Sequence, residues 1–261
     1  STDLVFLDEC HKAGSDSWYD VARSCDAFFR FGLSGTPLKR TDGADLRLLA
    51  ATGPILTEIR NKFLIERGIS SEVEIQMLPI RKPDIPKGVP YNDCYKAGIV
   101  GNIYRNRAIS LLADQFVSEG KSVVVLVKEI PHGWEIDKRL WTFRQKSFLT
   151  HQFINGEMDS SVRQEALRDF ERGDLKVLIA TSILDEGVDL PNIDVLIMAG
   201  GGKSSIKTLQ RVGRGIRLGG TGQLIVVDFI DYLNHYLLEH SFQRFKDYKG
   251  EDCFEIREIS L

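Results

Sequence analysis

The chain has 261 residues, of which 43% are apolar and 27% charged, with a net charge of −3. That is the balance of an ordinary globular protein long enough for one large domain or two compact ones. It excludes an overall basic, polyanion-seeking character, and no apolar run reaches the roughly 18 residues of a membrane span.

The chain opens on Ser1-Thr2-Asp3-Leu4-Val5-Phe6-Leu7, with neither a basic leader nor an initiator Met. It reads as a buried strand entered at once rather than a signal peptide, and upstream sequence is expected. Further along, short β-branched runs alternate with amphipathic stretches, which predicts an α/β fold with a parallel sheet. Strands are expected over 4–7, 123–127, 150–154, 176–180, 195–198 and 223–227, and helices over 104–117, 160–172, 204–214 and 231–248. In the helix from Ser160, the residues Val162, Ala166, Leu167 and Phe170 recur at helical spacing, with Asp159 or Ser160 as the polar cap. The segment 80–90 is interrupted by Pro83, Pro86 and Pro90 and reads as an exposed connector. The expected division is therefore a first unit over 1–80, a linker over 81–100, and a complete α/β domain over 101–261. Leu233, Tyr236, Leu237, Phe242, Phe245 and Tyr248 form an aromatic stripe on the last helix, read as a docking face for the core. The four cysteines, Cys10, Cys25, Cys94 and Cys253, are scattered without a C-x-x-C pair. This argues against a zinc knuckle or disulfide framework and for a reducing, intracellular setting.

Four segments carry chemistry-bearing residues. In Val5-Phe6-Leu7-Asp8-Glu9-Cys10-His11 an apolar strand ends in two carboxylates and an imidazole. Open α/β sheets bind ligands at that edge; there Asp8 can hold Mg²⁺ through water while Glu9 orients or deprotonates an attacking water. A solvated acidic pair on a surface loop is the competing reading. Gly32-Leu33-Ser34-Gly35-Thr36-Pro37, taken alone, is an ordinary turn. In Leu178 through Pro191 a strand runs into a loop bearing Thr181, Gly187 and Asp189; the glycine permits close backbone approach, and Asp189 can meet a ribose hydroxyl or position a water. A plain strand-to-loop turn fits it equally well.

Gln210-Arg211-Val212-Gly213-Arg214-Gly215-Ile216-Arg217 is the most specific signal, three arginines spaced three apart. A planar, permanently charged fork suits developing phosphoryl charge, and flanking glycines are poor choices for a merely solvated helix. No acidic residue falls between Asp194 and Asp228, whereas Lys203, Lys207, Arg211, Arg214 and Arg217 all do. That cluster suits either a solvated helix face or a phosphate-facing site. Gly200-Gly201-Gly202-Lys203-Ser204 imitates the end of a phosphate-binding loop. In G-x-x-x-x-G-K-[ST] the first glycine would fall at Ile197, within a strand, so it is not that loop. These glycines can instead let the backbone approach a nucleic-acid phosphate.

In this order the segments resemble motifs II, III, V and VI of the superfamily 2 DExH-box helicases. Asp8-Glu9-Cys10-His11 matches the DExH box, Ser34-Gly35-Thr36 the coupling motif, and Gln210 to Arg217 the Q-R-x-G-R-x-x-R motif. The glycine run leading into the arginines is similar to the UvsW/XPB-like branch, which includes phage and prokaryotic DNA helicases. The resemblance implies two RecA-like domains with ATP and Mg²⁺ held between them. Asp8 would hold the metal, Glu9 act on water, and His11 couple to Gln210. Gly187 and Asp189 would face the nucleotide, with Arg214 and Arg217 as arginine fingers. Ser34 and Thr36 would couple the domains, and Thr181, Lys203 and Ser204 would touch the nucleic-acid backbone without reading sequence.

The implied protein is an ATP-dependent helicase, with DNA as the expected substrate and RNA left open, working as a monomeric motor in the cytoplasm of a prokaryote or phage-infected cell. A double-strand translocase of a restriction or repair system carries the same motifs, and a non-hydrolysing nucleic-acid clamp is the reading from another class. No Walker A lysine occurs in these residues. The chain is thus expected to begin at motif II, with the remnant of one RecA-like domain followed by a complete second one, and to be inactive alone.

Overall fold

The computed structural model describes residues 2–10, 15–34, 45–59, 61–67, 72–144, 149–181, 193–202, 223–251 and 253–260. Two units emerge, Ser1–Ile59 and Arg60–Leu261. In the first, β1 (Leu4–Leu7) pairs in parallel with β2 (Phe29–Gly32), joined through α1 (Asp16–Ser24) and followed by α2 (Asp45–Thr52). Among the described residues its buried hydrophobic cluster is Cys10 and Leu48, with Leu7 packed against them.

The second unit begins with α3 (Asn61–Glu66) and β3 (Glu72–Ile80), then α4 (Tyr91–Tyr95) running into a π-helical turn (Lys96–Val100). There follow α5 (Ile103–Ser118), β4 (Val123–Leu126), α6 (Ile130–Arg144), β5 (His151–Ile154), α7 (Ser160–Arg172), β6 (Val177–Ala180) and β7 (Val195–Met198). The last elements are β8 (Gln223–Asp231), α8 (His235–Lys249) and β9 (Phe254–Glu258). Seven strands form one sheet in the order β5-β6-β4-β7-β8-β3-β9, with every pairing parallel.

The continuous apolar runs of the central strands have a direct cause: both faces are covered. Val123 and Val125 of β4, Val177 and Ile179 of β6, and Val195 and Ile197 of β7 face one core, which also holds Ile109, Leu112 and Phe116 of α5 and Ile136 and Leu140 of α6. The alternate residues Val124, Leu126, Leu178, Ala180, Leu196 and Met198 face the other, with Ala166 and Phe170 of α7 and Tyr248 of α8. The period-2 alternation of a strand thus sorts its side chains between two helical layers.

The structure differs from the sequence expectations at three places. The division falls between Ile59 and Arg60, not near residue 80, because β3 lies inside the larger sheet, between β8 and β9. Pro79 argues against a central strand, yet β9 pairs with β3 only as far as Met77. Met77 offers its carbonyl to Ile259, so the like-facing position 79 needs no N–H where β9 has ended. Second, the 80–90 segment is not a free connector. The Ile85 N–H donates to the Leu233 carbonyl at 3.0 Å, the Asn102 amide to the Lys82 carbonyl at 2.8 Å, and the Asn234 amide to the Pro86 carbonyl at 3.2 Å. Both asparagines also cap helices, Asn102 accepting from the Tyr104 and Arg105 N–H groups and Asn234 from Tyr236. Third, the last helix starts at His235, since Asp231 still pairs with Ile80. The helix α6 was hidden from the sequence by Pro131 and Gly133. Proline is tolerated in a first turn, and Gly133 is required because a Cβ there would come 2.2 Å from the Phe153 ring. The helix expected over 204–214 lies outside the described residues.

Candidate functional site

In the first unit the ladder itself shapes the acidic step. The Leu33 N–H donates to the Leu7 carbonyl at 2.9 Å, and the Cys10 N–H donates to the Leu33 carbonyl at 3.0 Å. Asp8 and Glu9 are the two residues between these contacts, so they stand out from the carboxyl edge of the β1–β2 pair. Glu9 has φ of 49°, a left-handed conformation that costs a non-glycine residue of the order of 1–3 kcal/mol and persists where the surroundings enforce it. Its N–H donates to Asp8 Oδ1 at 2.8 Å. Ser34 follows Leu33 directly, which places the third expected residue at the same edge.

Cys10 anchors the step from beneath. It is buried; burial pushes its thiol pKa up, and the Glu9 and Asp8 charges add to that effect. A Cβ at residue 32 would come 2.7 Å from Cys10 Sγ and 2.9 Å from Thr52 Cγ2. Gly32 is therefore what lets the cysteine seat. Among the described residues no three His, Cys, Asp or Glu side chains converge to hold a metal. Asp8, exposed beside Glu9, fits Mg²⁺ in one manner, as an ion held by one or two carboxylates, waters and substrate phosphates.

In the second unit, Thr181 directly follows β6; it is buried, and its N–H donates to the Ile154 carbonyl at 3.4 Å. At the same edge of the sheet, Gly200 donates to the Leu126 carbonyl at 2.9 Å, and a Cβ on Gly200 would lie 2.8 Å from the Lys128 nitrogen. Gly201 and Gly202 have φ of 58° and 97°, a conformation that suits glycine. His11, Thr36, Gly187, Asp189, Lys203, Ser204, Gln210, Arg214 and Arg217 all lie outside the described residues.

Sequence reading missed the buried polar network beneath the glycine loop. Arg105 donates to Asp231 Oδ1 and to the Ala199 carbonyl, each at 2.9 Å, and its guanidinium carbon lies 3.9 Å from the Phe229 ring centroid. Burial pushes Arg105 down and Asp231 up, each restrained by the other's charge. Arg244 grips Asp228 through two hydrogen bonds of 2.8 and 3.1 Å and reaches the Gly202 carbonyl at 2.6 Å. For Arg244 burial acts downward, but Asp228, Asp231 and Tyr248 together outweigh it and the net shift is upward. The Tyr248 hydroxyl donates to Asp228 Oδ2 at 2.7 Å, and the Tyr95 hydroxyl to the Gly200 carbonyl at 2.6 Å. A signal was present: two aspartates interrupt the apolar run Val226-Val227-Asp228-Phe229-Ile230-Asp231, and buried carboxylates demand partners.

Residues 106–219 match the helicase conserved C-terminal domain, and residues 1–39 match the res subunit of type III restriction enzymes. The ATP-dependent DNA helicase uvsW of Enterobacteria phage T4 is 27% identical over 95% of this chain and 53% of its own length. A putative DNA 3'-5' helicase Rad25 of Halobacterium salinarum is 30% identical over 86% of this chain and 36% of its own. The chain thus spans about half, or less, of these curated relatives. The crystal structure of T4 UvsW superposes with a TM-score of 0.60 at 22% identity, over 99% of this chain and 54% of that one. Dbp5 of S. cerevisiae, bound to RNA and ADP BeF3, gives 0.62 at 15% identity over 99% and 59%. These likenesses establish the fold of the chain as that of RecA-like helicase domains.

Proposed function

The chain belongs to the superfamily 2 helicases, and from that membership we propose that it supplies part of an ATP-driven motor acting on DNA. The observation that carries the reading is the paired step at the β1–β2 edge, where Asp8 and a left-handed Glu9 stand beside Ser34. An adjacent pair whose second member breaks the strand lets two carboxylates take separate tasks. Asp8 would hold Mg²⁺ through water; the ion, when bound, neutralises charge developing on the phosphates. Glu9 would accept a proton from, or orient, the attacking water.

His11 would couple this edge to Gln210, and Ser34 and Thr36 would relay its state. Gly187 and Asp189 would contact the nucleotide from the second RecA-like domain, with Arg214 and Arg217 stabilising the transferred charge. Thr181, Lys203, Ser204 and the glycine loop would meet the nucleic-acid backbone, giving affinity that falls with salt. The names of the uvsW and Rad25 relatives support DNA over RNA. One observation favours a second reading, a double-strand translocase of a restriction system: the match of residues 1–39 to a type III restriction subunit.

The test is Glu9→Gln in the whole protein. Hydrolysis should fall by roughly 10²–10⁴-fold, the usual contribution of a general base, while ATP binding persists; near-normal turnover would remove Glu9 from the reaction. Strand displacement by the whole protein, against displacement of a third strand without unwinding, separates helicase from translocase. By itself the 261-residue chain should hydrolyse ATP negligibly, since no G-x-x-x-x-G-K-[ST] occurs in it and the phosphates lack that cradle. DNA-stimulated phosphate release by the isolated chain, at the rate of a working motor, would contradict this.

A further inference from the structure

Three buried side chains from three helices take hold of one short loop by its carbonyls. Arg105 of α5 binds the carbonyl of Ala199, Tyr95 of α4 that of Gly200, and Arg244 of α8 that of Gly202. All three are almost wholly buried, and the two arginines are themselves fixed by Asp231 and Asp228. The loop is at the carboxyl edge of the sheet, and its glycines are half-exposed while Ala199 is buried.

A trans peptide holds its N–H and C=O on opposite sides. With the Gly200 carbonyl drawn to Tyr95, the Gly201 N–H is turned away from that helix. The positive φ of Gly201 and Gly202 continues the turn, and successive backbone N–H groups in such turns make concave anion sites. Glycine leaves no Cβ to keep a phosphate at a distance: among the described residues nothing lies within 4 Å of where one on Gly202 would be.

We propose that Tyr95, Arg105 and Arg244 are positioning residues for a phosphate-contacting backbone loop, Ala199–Gly202, that meets the nucleic-acid chain. The proposal rests on the nucleic-acid reading given above and deepens it, because it assigns the loop's shape to a buried network rather than to the loop's own sequence. It also explains why two costly buried ion pairs sit beneath one loop. Replacing such pairs by apolar residues is often neutral or stabilising, so stability alone gives weak reason for them.

The decisive comparison is Tyr95→Phe against Tyr248→Phe in the 261-residue chain. Each removes one buried phenolic hydroxyl and keeps the ring; only the first releases a loop carbonyl. Binding of a fluorescein-labelled single-stranded oligodeoxynucleotide is followed by anisotropy across a salt series. Tyr95→Phe should weaken binding about two- to tenfold, the worth of one hydrogen bond. It should also flatten the slope of log K against log salt by about 0.7, one phosphate contact on a single strand. Tyr248→Phe, whose hydroxyl reaches the loop only indirectly through Asp228 and Arg244, should change both clearly less than Tyr95→Phe does. Equal effects of the two variants, or no effect of the first, overturn the proposal. If the wild-type chain binds no oligonucleotide, the nucleic-acid reading itself falls and takes this one with it. Should Tyr95→Phe fail to fold, Gly201→Ala serves in its place. It leaves all three clamping side chains intact but strains the loop at φ 58°, and unchanged affinity and slope there would equally overturn the proposal.

Discussion

The two units solve the same problem, a parallel strand edge bearing functional groups, with very different means. The first has two strands, a cluster of Cys10 and Leu48, and large apolar side chains such as Phe6 and Phe28 that are 60% and 85% exposed. The second has a seven-stranded sheet whose central strands are covered on both faces, with polar side chains tied together at its centre. In the first, the edge is shaped by the backbone ladder and one strained residue, Glu9. In the second, it is shaped by side chains reaching up from the core. The contrast teaches that a carboxylate pair needs little burial to be placed, whereas a glycine loop, with no side chains of its own, needs its conformation imposed from below.

The largest expected effect tests whether charge from the second unit is what the acidic step of the first requires. Arg214→Ala in the whole protein should lower turnover by about 10³–10⁵-fold, the usual worth of an arginine finger, while ATP affinity falls much less. Lysine should rescue poorly because it lacks the fork. Turnover and nucleotide affinity measured side by side decide it, and near-normal turnover would leave Arg214 as surface charge. Lys203→Ala should instead weaken oligonucleotide binding and spare basal hydrolysis.

Next in size is the buried network. Arg244→Met strands Asp228 without its partner and should cost about 3–5 kcal/mol in denaturant unfolding. Pairing it with Asp228→Leu should return much of that loss, since the uncompensated charge is then gone. If the double variant is no more stable than the single one, charge pairing is not what the network contributes.

Core truncation sharpens the contrast between the units directly. Leu178→Ala, in a wholly buried strand position, should cost about 2–5 kcal/mol. Leu48→Ala should cost less, because among the described residues its cluster holds only Cys10 and the partly buried Leu7. Urea unfolding followed by hydrogen exchange in each unit reads both losses, and equal costs would erase the distinction.

The effect smallest near neutrality, growing only on acidification, is a pH dependence in the second unit. His132 is wholly buried and shares a 3.0 Å hydrogen bond with Asn106 Oδ1. Asn106 donates its own amide to the Val100 carbonyl, so Oδ1 accepts and the imidazole Nε2 donates. Burial, and then the Arg105 charge, push the His132 pKa down to about 3. The fold therefore favours the neutral ring. From about pH 6.5 down to about 3 the unfolded chain binds the extra proton, and stability falls by up to about 1.4 kcal/mol per pH unit. His132→Gln should flatten that slope in urea titrations; an unchanged slope would assign the acid sensitivity elsewhere.

What the sequence determined by itself is the parallel α/β class, most strands of the larger sheet, the helix Ser160–Arg172 to the residue, and the acidic step after β1. Each is written in local terms, as apolar runs, a period of 3.6, a cap, or a carboxylate pair at a strand end. Tertiary structure decided the rest. It took β3 into the second sheet despite Pro79, because β9 ends before that proline would need a donor. It tied the proline-rich 80–90 segment down through Asn102 and Asn234, and it allowed α6 its glycine because the Phe153 ring occupies the space of a side chain. It also joined Tyr95, Arg105 and Arg244, which lie up to 149 positions apart in the chain, around one loop. Pairings at such separations leave no local period to read; they exist only once the sheet has brought the helices onto its faces and burial has forced each charge to find a partner.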